Sequence, residues 1–250
     1  MKAILIFSFF IFGLLPDSSA RQKPSLVIVH GAWGGSWSFR KTDSILRQQG
    51  INVYRANLTG QGERVHLSSK DIDLDTHIKD VVNLILYEDL HHVILVGHSY
   101  GGMVITGVAD SIPDRIAKLV YLDAFAPNDG DNALTVHGGK VPGQVKSQEF
   151  MVPVWVKENQ PPPKDVPQSS KTFLQPVRRR NPAALKLPAT YILTVDPGRT
   201  ASADSFYPSS QRAKSRGWKV IEMSADHNPQ MTAPGKLAEF ISKELEPDPS

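Results

Sequence analysis

From residue 25 onwards the chain alternates two kinds of hydrophobic pattern. The continuous apolar runs SLVIVHG (25–31), HVILVG (92–97), IAKLVYLDA (116–124) and ATYILTVD (189–196) read as buried strands. Residues 51–58 and 218–224 read as two more. Between them lie segments with helical spacing. Residues 73–90 put Ile78, Val81, Val82, Ile85 and Leu86 on one helical face, and the pattern over 37–50 stops at a glycine. A further helix starts at Ser99, and residues 205–217 and 233–245 hold the last two. Regular alternation of strand and helix implies an α/β fold, a mostly parallel sheet with helices on both faces.

The alternation breaks between about 127 and 188. This stretch is rich in proline, glycine and polar residues, including NQPPPKDVP, and its apolar clusters are short, as in FMVPVWV. So long an insertion in a compact domain reads as a cap over the sheet edge. Its three consecutive prolines favour extended chain. At the other end, Lys2, a short apolar run and small residues up to Ala20 predict a secretory signal peptide over 1–20. The run is too short for a comfortable membrane span, so a secreted or periplasmic protein with no stable membrane anchor is expected. Residues 21–250 then form one domain carrying the cap.

Composition narrows the chemistry. The 250 residues are 40% hydrophobic and 21% charged, which suits one large globular α/β domain. The net charge is +3, and the basic residues are scattered apart from Arg178, Arg179 and Arg180. No aromatic-plus-basic pattern accompanies that triplet, so no nucleic-acid partner is expected. The chain has no cysteine, which excludes a disulfide framework, a thiolate metal site, a cysteine nucleophile and a lipid-anchored N-terminus.

Gly97-His98-Ser99-Tyr100-Gly101 fits G-x-S-x-G, with a strand before it and a helix after. A serine on a sharp strand-to-helix turn stands clear at the carboxyl end of the sheet, beside the free amides of a helix start. Serine needs a base. Of eight histidines, His227 follows the last strand, so its loop opens on the same sheet edge as Ser99. The third member is expected after an intermediate strand. Asp196 meets that condition and gives the order Ser99, Asp196, His227. Asp123, ending the strand LVYLD, is its rival, and Asp226 and Asp204 read as loop residues. The glycine-rich loop HGAWGGSW (30–37) after the first strand suits an oxyanion hole formed by the amides of Ala32 and Tyr100. Trp33, Phe150, Met151 and Trp155 are candidate walls of the substrate pocket.

The segments VIVHGAWGGSW, LTGQGERVHL, VGHSYGGMVITGVAD, LVYLDAFAPNDG and DHNPQM together resemble the α/β-hydrolase superfamily. More narrowly they resemble bacterial carboxylesterases of the pyrethroid-hydrolase type, relatives of plant methylesterases and hydroxynitrile lyases. The resemblance is dense over about 25–130, returns at 189–245 and is poor in the cap. It implies an α/β-hydrolase fold, Ser99, Asp196 and His227 as the triad, the Ala32 and Tyr100 amides as the oxyanion hole, and neither metal nor cofactor. The lyases carry a threonine where this chain has Gly31 and a lysine where it has Asn228, so the resemblance favours ester hydrolysis. The expected activity is a serine carboxylesterase acting on small esters with an apolar acyl or alcohol group. A lyase, lactonase or C–C hydrolase on the same scaffold is the alternative, and a binding protein that has lost turnover is a third.

Overall fold

The apolar runs become six strands of one sheet. The computed structural model describes residues 25–139, 149–157 and 159–245, so the signal peptide expected over 1–20 lies outside the described residues. The elements begin with β1 (Ser25–Val29), α1 (Arg40–Gln48), β2 (Asn52–Ala56), α2 (Leu74–Tyr87), β3 (Val93–His98), α3 (Gly101–Ser111) and β4 (Ile116–Leu122). Short pieces follow: α4 (Ala133–Val136), β5 (Phe150–Met151), β6 (Gln168–Ser169), α5 (Lys171–Leu174) and α6 (Pro182–Leu185). Then come β7 (Ala189–Val195), α7 (Tyr207–Ser215), β8 (Lys219–Ser224), α8 (Pro229–Thr232) and α9 (Pro234–Leu245).

The main sheet runs β2-β1-β3-β4-β7-β8, with every pair parallel. Its apolar strands are explained by burial on both faces. In β1, Val27 and Val29 join the core under α2 and α3, with Ile78, Val81, Ile85 and Val104. Leu26 and Ile28 alternate with them and join the opposite core, with Leu46 of α1 and Leu237 and Ile241 of α9. The two-residue period of a strand thus serves two helix layers. Asp73 starts α2 by accepting the Thr76 amide at its side chain, which satisfies one of the helix's free amides.

The insertion breaks the pattern but is tied down. β5 and β6 pair antiparallel. Trp33, in the loop after β1, sits at φ 63. Three contacts hold it there. Its amide donates to Gln168 Oε1 at 2.9 Å, its indole to the Met151 carbonyl at 3.1 Å, and its carbonyl accepts from the Val166 amide at 2.8 Å. Ser169 reaches the Lys70 carbonyl at 2.9 Å, adding a contact beyond β2. The described part of the insertion therefore lies against loops at the carboxyl end of the sheet. Among the described residues, no helix is long and apolar enough to cross a membrane.

One buried side chain of α9 bonds three strands at the far edge of the sheet. Glu244, with 1% of its side chain exposed, meets Lys118 of β4 at 2.6 Å, Lys219 of β8 at 2.7 Å and Thr190 of β7 at 2.6 Å. Burial pushes its carboxyl pKa up, but these three donors outweigh that and hold it below the usual range. Replacing Glu244 by Ala strands Lys118, whose side chain is 12% exposed. The variant is expected to lose about 3 kcal/mol of stability, read as a lower urea midpoint at unchanged slope.

Candidate active site

The chain leaves β1 toward one edge of the sheet, builds β2, and returns to the other side of β1 as β3. Loops that diverge on either side of such a switch point leave a crevice at the carboxyl ends of the strands. The HGAWGG loop and the turn holding Ser99 both open there. Ser99 sits at φ 54, a left-handed conformation that costs a side-chain-bearing residue energy. Its amide donates to the Leu122 carbonyl at 3.2 Å, and its carbonyl accepts from Gly102 and Phe125, each at 3.1 Å. Glycine is required on both sides. A Cβ on Gly97 would lie 2.7 Å from the Gly101 carbonyl oxygen, and one on Gly101 would lie 2.8 Å from that of Val29.

His227 arrives on the loop after β8. Its Nε2 lies 3.1 Å from Ser99 Oγ, and its Nδ1 lies 2.6 Å from Asp123 Oδ2. Asp123 is fully buried, and its other carboxylate oxygen accepts the Thr194 amide at 3.1 Å. The Phe206 ring stacks on His227 at 4.8 Å and 9°. The His98 ring also lies 4.8 Å away, and its Nε2 donates to the His227 carbonyl at 2.8 Å. Burial, and then the neighbouring His227, lower the His98 pKa to about 3. His98 is therefore a neutral brace on the loop that carries His227.

The remaining buried histidines are joints too. His77, its pKa lowered to about 4 by burial, donates Nε2–H to the Thr59 carbonyl and accepts the Tyr100 hydroxyl at Nδ1, each at 3.0 Å. Burial likewise lowers His30 to about 4. His30 donates to the Gly31 carbonyl at 2.8 Å and accepts the Leu58 amide at 3.3 Å. Tyr100 is thus fixed through its side chain. Its amide and that of Ala32 belong to residues beside Ser99 in one cavity, and neither donates to another described residue. Such a pair of free amides is what a developing oxyanion needs.

Two expectations require correction. Asp196 does not meet His227. It lies just past β7, with 44% of its side chain exposed, and faces Arg199 at 3.7 Å. Asp123 holds that place instead, because its φ of 42 at the end of β4 bends the chain where β4 and β7 adjoin. The sequence offered both acids, and strand order alone did not separate them. Phe150 and Met151 do not line the cavity, since β5 turns Met151 into the core and presents its carbonyl to Trp33.

The cavity measures about 600 Å³, enough for a substrate with an aromatic or branched group. Trp33 and Trp155 line it as the sequence suggested, together with Phe125, Phe173, Phe206 and Asp165, which sequence reasoning missed. Phe206 had one usable signal, its place in the loop between β7 and α7, at the edge where Ser99 opens. Among the described residues, no group of three His, Asp or Glu side chains is placed to hold a metal ion.

Comparison with known proteins bears on the family and the fold. The model of the alpha/beta hydrolase family matches residues 26–240. A carbendazim hydrolyzing esterase of Nocardioides sp. (strain SG-4G) is 36% identical over 251 aligned positions, covering 87% of this chain and 98% of that protein. The pFDCC methylesterase of Arabidopsis thaliana is 27% identical, covering 90% of this chain and 95% of that one. The crystal structure of a pyrethroid hydrolase, 23% identical, superposes with a TM-score of 0.70 over 89% of this chain and 97% of that one.

The two acids are separable by kinetics. Asp123→Asn is expected to lower kcat on a p-nitrophenyl ester about 10³–10⁴-fold, because the imidazole loses its tautomer and its counter-charge. Asp196→Asn is expected to stay within about twofold of the parent, as surface changes do.

Proposed function

The chain belongs to the alpha/beta hydrolase family and is an esterase on that scaffold, and from this premise we propose that it works through an acyl-enzyme with Ser99 as nucleophile, His227 as base and Asp123 as the acid behind it. The observation that carries the reading is the continuous relay from Ser99 Oγ through the His227 ring to buried Asp123, at 3.1 and 2.6 Å. Ser99 Oγ attacks the ester carbonyl carbon while His227 Nε2 takes its proton. The carbonyl oxygen becomes an oxyanion facing the Ala32 and Tyr100 amides. The bond to the alkoxy oxygen then breaks, and His227 returns the proton to the departing alcohol. Water, deprotonated by His227, attacks the acyl carbon, Ser99 regains its proton, and the carboxylic acid leaves. Asp123 keeps Nδ1 protonated throughout and offsets the imidazolium charge.

The insertion at 127–188 acts as a cap in this reading. Its Trp155 and Phe173, with Trp33, wall the cavity and favour an ester with an apolar acyl or alcohol group. The charged residue and apolar run at the N-terminus support export of the protein. Gly31 and Asn228, which replace the threonine and lysine of the hydroxynitrile lyases, support hydrolysis over elimination.

Short p-nitrophenyl esters test the reading. Wild-type protein is expected to release a burst of p-nitrophenol stoichiometric with active sites whenever deacylation is slower than acylation. Ser99→Ala is expected to lose roughly 10³-fold or more in kcat. Full turnover by Ser99→Ala would overturn the assignment.

A further inference from the structure

The charge inside the cavity is opposite to that of the whole chain. The protein carries a formal charge of +3 from 28 Lys and Arg residues, yet none of these is among the described residues lining the cavity. Two carboxylates line it, Asp165 and Asp226. Asp226 is tied to its own loop through Oδ1, which accepts the Asn228 amide at 2.9 Å and the Thr232 hydroxyl at 2.8 Å. Asp165 is bound instead to an aromatic wall of the cavity. Trp155 Nε1 donates to its Oδ2 at 2.8 Å, and no neighbouring charge offsets its carboxylate. Burial pushes its carboxyl pKa up, and the Trp155 bond only partly counters this. An anionic group in such a place gains from any cation that enters.

Its surroundings suit a cation as well. Trp155 meets Trp33 edge to face, with ring centroids 5.6 Å apart and planes at 89°. Both indoles line the cavity. Phe173 stacks on buried Trp33 with ring centroids 5.5 Å apart, so Trp33 backs the cluster, and the electron-rich π surface open to a positive group is that of half-exposed Trp155. The Val166 amide bonds to the Trp33 carbonyl at 2.8 Å, which fixes Asp165 next to that cluster.

We propose that Asp165, with the Trp155 indole that Trp33 backs, forms a cation subsite that selects esters bearing a protonated or quaternary ammonium group. This rests on reading the cavity as the ester site. Asp165 attracts the charge, the indoles desolvate the alkyl groups around it, and the ester is left to reach Ser99. Neutral apolar esters use the same aromatic walls without the electrostatic gain.

Tetramethylammonium is the probe, and tert-butanol its uncharged counterpart of similar size. Each is titrated into the Ser99→Ala protein at constant ionic strength, with binding followed by tryptophan fluorescence. No turnover is required, so failure here is distinct from failure of the esterase reading. Asp165→Asn removes the charge but keeps an oxygen to accept the Trp155 indole. The ammonium ion is expected to bind more tightly than tert-butanol, and Asp165→Asn to weaken the ion about tenfold with little change for the alcohol. Near-ultraviolet circular dichroism checks that the variant keeps its aromatic packing, and Asp165→Glu is expected to restore part of the preference. Equal affinity for the two probes, or an ammonium affinity untouched in a folded Asp165→Asn protein, overturns the proposal.

Discussion

The hydrogen bond between His227 Nδ1 and the Asp123 carboxylate, 2.6 Å long, is the interaction on which the rest depends. Asp123 has no exposed surface, and an unpaired carboxylate there would cost several kcal/mol. The imidazole N–H and the Thr194 amide supply what water would otherwise give. The same bond orients the ring so that Nε2 lies 3.1 Å from Ser99 Oγ, the geometry the proposed mechanism uses. Stability and reactivity thus draw on one contact. The fold positions its two ends from elements far apart in sequence: β4 carries Asp123, and the loop after β8 carries His227.

The parallel sheet makes that meeting possible. Every strand delivers its carboxyl end to one edge, so the loops after β1, β3, β4 and β8 share a crevice. Close backbone packing then forces strain at the centre. With the Gly101 backbone against the Val29 and His30 carbonyls, the chain between β3 and α3 turns through the left-handed Ser99. Phe206, on the loop before α7, and the neutral His98, at the end of β3, fix the His227 ring. His98 suits this place because burial keeps it uncharged, so it does not oppose an imidazolium beside it.

Much of this was legible in the sequence because it rests on periodic burial. The apolar runs at 25–31, 92–97, 116–124 and 189–196 became β1, β3, β4 and β7 within a few residues, since strands buried on both faces leave a continuous signal. The elbow and His227 were legible from glycine spacing and chain order. The acid was not, because Asp123 and Asp196 both close strands and differ only in how the chain turns afterwards. A φ of 42 at Asp123 has no sequence signature. The pocket walls were legible in part. Trp33 and Trp155 line the cavity, whereas Phe150 and Met151 lie elsewhere, because a two-residue strand has too little periodicity to tell inside from outside. Asp165 escaped notice since its importance lies in what surrounds it.

The most direct test of the account is proton NMR of the resting enzyme in water. A proton shared between His227 Nδ1 and buried Asp123 resonates far downfield of the amide envelope. The account predicts that this resonance is present in the wild-type protein, persists in Asp196→Asn and vanishes in a folded Asp123→Asn. A resonance that survives Asp123→Asn, or disappears in Asp196→Asn, would contradict it.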